Sequence, residues 1–185
     1  MGTQKQKLKS LLIARILMAT GIFLLICTAY LMWLRYSPQR LAFKKVVSTV
    51  SQKQDTNPPE YIEIPALHIN LPIYPSTIHN NEWETTTEGV SYWSKSPVPG
   101  DKGNSILYGH NWTSLLGNLI YSQPGQEIII EYKDRTKRRF IIDKTAIVPP
   151  SQIHILEPSS DTRITIYTCT GFLDSKRFVA VALAR

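Results

Sequence analysis

The sequence predicts an all-β domain carried behind an apolar N-terminal helix that spans a membrane. Three observations carry this expectation. From Tyr61 to the C-terminus, short runs rich in β-branched and aromatic residues follow one another, each closed by a turn signal. Ile16–Leu34 is an unbroken apolar stretch without a charge, about the length that crosses a bilayer core as a helix. The basic excess of the chain lies entirely around that stretch. At 185 residues there is room for one anchor and one domain of ordinary size.

Residues 1–15 carry Lys5, Lys7, Lys9 and Arg15, and Arg35, Arg40, Lys44 and Lys45 follow the apolar stretch. Met1–Glu60 holds nine Lys/Arg against two Asp/Glu, whereas Tyr61–Arg185 holds twelve of each. A nucleic-acid-binding domain would concentrate its charge on the folded part, so that class is disfavoured. Basic segments flanking an apolar helix instead suit an anionic lipid surface. Charge on both sides is nearly balanced and does not orient the helix by itself. A cleaved signal peptide would have a shorter apolar region ending in a small-x-small site. Ala29-Tyr30-Leu31 followed by Met32-Trp33-Leu34 suits cleavage poorly, so residues 16–34 are expected to stay as an uncleaved signal anchor. That places residues 1–15 in the cytoplasm and the following domain outside, in a single-pass cell-membrane protein. Trp33 and Tyr36 suit the outer interface, and Cys27 reads as a small lipid-facing residue.

Residues 35–60 mix Lys, Gln, Ser and Thr and end in Asn57-Pro58-Pro59. They read as a stem, with a helical turn or two across Leu41–Val50. The domain is then 61–185. Its candidate strands are Tyr61–Ile64, Ile69–Tyr74, Val90–Trp93, Ser105–Tyr108, Glu127–Tyr132, Arg138–Val148, Ile164–Cys169 and Phe178–Ala184. Turns are signalled at Pro97-Val98-Pro99-Gly100, Gln123-Pro124-Gly125 and Val148-Pro149-Pro150, and Lys133–Thr136 reads as a hairpin tip. Such spacing suggests an antiparallel barrel or sandwich. Trp112–Tyr121 contains one short helix, with Leu115, Leu116 and Leu119 on a face.

With Cys27 inside the membrane span, Cys169 is a single thiol in a compartment where structural cysteines usually pair. It ends the β-branched run Thr165–Cys169, eight positions before Arg177. Taken as an antiparallel hairpin, the last two strands set Cys169 opposite Arg177, Tyr167 opposite Val179 and Thr165 opposite Val181. Ile164, Ile166, Thr168, Phe178, Ala180 and Ala182 then form the core face. Cys169 and Arg177 project together on the other face, away from that apolar layer and within cross-strand reach. A one-residue slip would separate them. A fixed cation with a planar fork of donors favours thiolate, holds a carbonyl and stabilises an oxyanion; the plain alternative is a solvated strand-end charge. His110 ends Ser105-Ile106-Leu107-Tyr108-Gly109 and is the histidine best placed to move protons. Gly109 before it permits a close or bent backbone, and Asn111 after it can hydrogen-bond nearby. His68, His79 and His154 have no such context and read as structural.

These segments together resemble the sortases, membrane-anchored cysteine transpeptidases of the bacterial cell surface. Thr165-Ile166-Tyr167-Thr168-Cys169 is similar to their T-L-x-T-C signature, with Ile166 where Leu is usual. Tyr108-Gly109-His110-Asn111 resembles the segment that carries their histidine, and Arg177-Phe178-Val179 the one that carries their arginine. Ile64-Pro65 with Leu71-Pro72-Ile73 resembles their opening strands. The likeness runs from about Tyr61 to the C-terminus. It implies a barrel of about eight strands with short helices, and Cys169, His110 and Arg177 as the catalytic residues. It further implies cleavage of an LPXTG-like sorting signal at its Thr–Gly bond through a thioacyl enzyme. The partners implied are surface proteins bearing that signal and an amine acceptor from peptidoglycan or a pilin.

Two other classes fit less well. L,D-transpeptidases resemble S-x-G-C-x-R around the nucleophile, unlike Thr168-Cys169-Thr170-Gly171, and papain-like peptidases place Cys before His in the chain. A non-catalytic, membrane-anchored β-domain that binds a surface partner is the third reading. No cofactor is expected. Glu82, Glu84 and Glu88 admit a calcium site, since hard cations need several oxygens together, but a solvated acidic loop is the simpler reading, and no Cys/His spacing suggests zinc.

Overall fold

The structure, a computed structural model, describes residues 2–36, 41–43, 57–79 and 82–185. The chain divides into two compact units, Met1–Ser37 and Pro38–Arg185. The first is a single helix, α1 (Gly2–Tyr36). Within it Leu11–Trp33 is long and apolar enough to cross a membrane. Thr20 and Thr28 within that stretch turn their hydroxyls back onto the carbonyls of Ile16 and Leu24, which satisfies both groups inside the helix. The expected helical turn beyond Phe43 lies outside the described residues.

The second unit is a closed barrel of eight strands. The strands are β1 (Pro59–Ile64), β2 (Ile69–Ser76), β5 (Val90–Trp93), β6 (Gly103–Gly109), β7 (Glu127–Tyr132), β8 (Lys137–Val148), β9 (Thr162–Thr170) and β10 (Lys176–Ala184). All eight candidate strands are present. A separate two-stranded ribbon, β3 (Ile78–His79) with β4 (Glu82–Trp83), occupies what the sequence presents only as a polar stretch. Around the barrel the order is β1-β2-β5-β6-β9-β10-β8-β7.

The barrel is mixed, which corrects the antiparallel expectation. β2 runs parallel to β5 and β6 parallel to β9. A parallel pair needs a crossover connection, and here the β3–β4 ribbon and the β7–β8 hairpin with its flanking loops provide them. Each crossover breaks a run of hairpins that local turn signals alone would suggest.

Alternation along the strands divides the buried side chains into two layers. The inner layer fills the barrel and draws on every strand, with Ile62 and Ile64, Ile128 and Ile130, Ile164 and Ile166, and Phe178, Ala180 and Ala182 among its members. Leu116 and Leu119, from the 3-10 helix Leu116–Tyr121, belong to the same layer. The outer layer covers the far side of β5, β6, β9, β10 and the end of β8. It comprises Trp93, Ile106, Tyr108, Val148, Leu156, Tyr167, Cys169, Val179 and Val181, with Trp83 from β4 and Leu41 and Phe43 from the segment before the barrel. Residues 41–43, read from the sequence as stem, are thus part of this packed face.

Candidate active site

The β9–β10 hairpin has the register expected from its pattern. Cys169 pairs opposite Arg177, Tyr167 opposite Val179 and Thr165 opposite Val181. Thr168 points inward, where its hydroxyl donates to the Gly109 carbonyl at 2.8 Å. β6 lies beside β9 with Tyr108 opposite Tyr167 and Gly109 opposite Thr168. The next step along both strands brings His110 level with Cys169, on the same face as the two tyrosines. His110, Cys169 and Arg177 therefore converge at one end of three adjacent strands. A Cβ on Gly109 would lie 3.1 Å from Leu116 Cδ1, so glycine there lets the 3-10 helix close tightly behind the histidine.

The three residues are more enclosed than an outward-facing strand end implies. Cys169 is 3% exposed, Arg177 3% and His110 6%. Cys169 lies on the face opposite the barrel core, as the register implies. That face carries a second layer, built by chain that arrives from far away in sequence. Trp83 stands edge-on to Tyr108 and to Tyr167, with ring centroids 4.9 and 5.9 Å away, and Tyr108 stacks on Tyr167 at 5.5 Å. Aromatic contacts of this kind hold a site through rigid area rather than flexible side chains.

Residues 41–43 cross this face at the site itself. The Leu41 carbonyl accepts from the Tyr167 hydroxyl at 3.4 Å, and the Ala42 carbonyl accepts from Arg177 Nη2 at 3.0 Å. Phe43 packs edge-on to Tyr167 and lies 5.9 Å from the guanidinium carbon. The other arm of the guanidinium, Nη1, donates to the carbonyls of Asp174 and Lys176 at 2.9 and 3.0 Å. Nε of Arg177 is buried and has no acceptor among the described residues. A buried, charged N–H without a partner is costly.

His110 is held between a ring and a loop. Trp112 stacks on its imidazole with centroids 4.7 Å apart and planes 12° apart, and the Leu116 amide donates to the His110 carbonyl at 3.1 Å. Burial pushes the imidazole below its ordinary value, and the Asp174 carboxylate opposes part of that. Burial drives both buried phenols the other way. Tyr108 is raised chiefly by desolvation, with Ser76 pulling it down, and Tyr167 is raised well above its usual range. Neither tyrosine ionises near neutrality, so both serve as neutral hydroxyl donors, Tyr108 to the Glu84 carbonyl at 2.6 Å.

The remaining histidines sit apart from this group in the fold. His68 caps the 3-10 turn Pro65–Leu67 in a left-handed conformation, His79 lies in β3, and His154 in the 3-10 turn Ile153–Leu156. Among the described residues no group of three or more His, Cys, Asp or Glu converges to hold a metal ion. Of the acids considered for calcium, Glu84 accepts from the Thr77 amide and hydroxyl, and Glu88 accepts from the Tyr74 hydroxyl at 3.5 Å. Trp112, Trp83 and Phe43 carried no recognisable motif in the sequence. Their only signal was size and apolarity.

A family model described as a sortase domain matches residues 62–184. Among solved structures, sortase A of Listeria monocytogenes superposes with a TM-score of 0.55 at 24% identity, over 68% of this chain and 86% of that one. A lid mutant of sortase A from Corynebacterium diphtheriae gives 0.60 at 24% identity, over 71% and 73%. Sortase C of Clostridium perfringens, solved with a C-terminal cell wall sorting motif, gives 0.56 at 21% identity, over 68% and 69%. At these identities the structural likeness is one of fold. No curated protein sequence matches the chain significantly.

Proposed function

The chain belongs to the sortase family of cysteine transpeptidases, and from that premise we propose that Cys169 is its nucleophile, with His110 and Arg177 as catalytic partners. The substrate in this reading is a surface protein bearing an LPXTG-like sorting signal, cut at the Thr–Gly bond. The acceptor is an amine of peptidoglycan or of a pilin. α1 anchors the enzyme in the cell membrane with the barrel outside.

The steps follow from the groups present. The Cys169 thiolate adds to the scissile carbonyl and forms a tetrahedral oxyanion. An N–H of Arg177 donates to that oxygen as charge develops. Protonated His110 gives its proton to the leaving amine, the C–N bond breaks and a thioester remains. An incoming amine loses a proton to His110, attacks the thioester and expels the thiolate, which restores the starting state. A buried imidazole with a lowered pKa gives up its proton readily, as the first half-reaction requires.

The observation that carries this reading is the contact between Arg177 and Ala42. The guanidinium beside Cys169 already holds a peptide carbonyl, and the segment that supplies it also accepts from the Tyr167 hydroxyl. A sorting-signal backbone entering the same face takes up the same donors, and residues 41–43 give way to it. The Clostridium perfringens sortase C solved with a sorting motif supports the same substrate class.

The test is to incubate the full chain in detergent micelles with a panel of sorting-signal peptides, with and without amine acceptors. Mass spectrometry should find an acyl adduct on Cys169 and, with acceptor, a transpeptidation product. Cleavage of no peptide in the panel and no adduct would count decisively against this function.

A further inference from the structure

The loop between β9 and β10 does more than reverse the chain. Gly171, Leu173 and Asp174 all have positive φ, at 79°, 49° and 57°. The Asp174 amide closes the turn onto the Gly171 carbonyl at 3.1 Å. Left-handed backbone is disfavoured for most side chains, and Asp is one of the few that tolerate it. In this posture Asp174 reaches both partners of the nucleophile. Its backbone carbonyl accepts from Arg177 Nη1 at 2.9 Å. Its carboxylate accepts from Asn111 Nδ2 at 3.0 Å, and Asn111 follows His110 directly.

Resting on the transpeptidase reading above, we propose that Asp174 is a positioning residue that ties the His110 loop to the Arg177 end of β10. Trp112 fixes one side of the imidazole by stacking, and the Asn111–Asp174 bond fixes the backbone that aims it. The same residue sets the angle of the guanidinium through its carbonyl. One left-handed aspartate thus sets the spacing between the proton carrier and the oxyanion donor. Its charge also acts on the imidazole, in the direction that favours imidazolium. The other titratable or charged groups at this end of the elements around His110 are Tyr108 on β6, Tyr167 and Cys169 on β9, and Lys176 and Arg177 at the start of β10. None of these is a carboxylate, so among the described residues Asp174 supplies the one that offsets burial.

Three variants of the full chain in micelles separate this role from a merely structural one. Asp174→Gly removes the side chain and suits the positive φ. Asp174→Asn keeps an acceptor and a left-handed tolerance but removes the charge. The double variant Asn111→Asp/Asp174→Asn exchanges amide and carboxylate across the same hydrogen bond. Readouts are kcat and KM with a sorting-signal peptide, and the pH titration of the His110 imidazole by NMR. Asp174→Gly should lower kcat about tenfold, the size of one charge-assisted hydrogen bond, with KM little changed. Both single variants should move the His110 titration to lower pH. The exchanged pair should bring it back and recover most of kcat. Wild-type kcat and titration in Asp174→Gly would overturn the proposal, as would an exchanged pair that restores neither. If the wild type cleaves no sorting peptide, the function assigned above fails, while the His110 titrations still decide the role of Asp174.

Discussion

Arg177→Lys keeps the charge beside Cys169 and removes the fork. In the native site Nη1 serves the carbonyls of Asp174 and Lys176, and Nη2 serves that of Ala42. One ammonium nitrogen can replace Nη1 and its two acceptors, but the Ala42 carbonyl lies on the other arm. Under the proposed mechanism this is the place where a substrate carbonyl binds. The expected loss is therefore one charge-assisted hydrogen bond, about 1.5–3 kcal/mol, or roughly ten- to a hundredfold in kcat/KM. Detachment of Ala42 should also cost the fold about 1 kcal/mol, visible as a fall in Tm of roughly 2–4 °C for a domain of this size. Thermal melting comes first, to show that the variant is folded. Steady-state transpeptidation then gives the rate. A folded Arg177→Lys with near-native kcat/KM would refute the reasoning, because simple charge would then suffice.

Other outcomes follow from the same geometry. Cys169→Ala should abolish the acyl adduct while Cys27→Ala leaves the chemistry intact, as mass spectrometry with a sorting peptide can show. His110→Gln should lose most transpeptidation and also change the pH dependence of stability. Because burial lowers the His110 pKa, the folded state binds fewer protons than the unfolded one between that lowered value and about pH 6.5. Stability contributed this way is present above about pH 6.5 and is lost as pH falls toward the folded pKa. Melting curves at stepped pH should therefore show a shallower acid-side decline for His110→Gln, and an unchanged slope would show that burial of this ring is not the cause. Trp83→Ala removes a fully buried indole from the outer layer and should cost about 3–5 kcal/mol, read as a drop in the denaturation midpoint. A loss near zero would mean that the β3–β4 ribbon does not hold that layer together. Fractionation with N-terminal sequencing should find the intact chain in the membrane, and a soluble product starting after Ala29 would show a removed signal peptide.

The sequence by itself determined the features that depend on short-range pattern. Period-two alternation with turn residues was enough to place all eight barrel strands. The same alternation set the register of Cys169 against Arg177, because a one-residue slip would have turned Ile164, Ile166 and Phe178 out of the core. The charge-free run in α1 marked itself by length alone. What the tertiary structure decided lies where segments distant in sequence meet. Nothing local reveals that β6 runs parallel to β9, and only that pairing brings His110 level with Cys169. A polar segment gave no sign that Trp83 would cover Tyr108 and Tyr167, or that residues 41–43 would lay a carbonyl on Arg177. The link from Asn111 to Asp174 spans two loops, each of which reads as a plain turn. Local pattern reports which face of a strand is buried, since that follows from the strand's own alternation. It cannot report what buries the face, because the covering groups come from other parts of the chain and are chosen by the closure of the barrel.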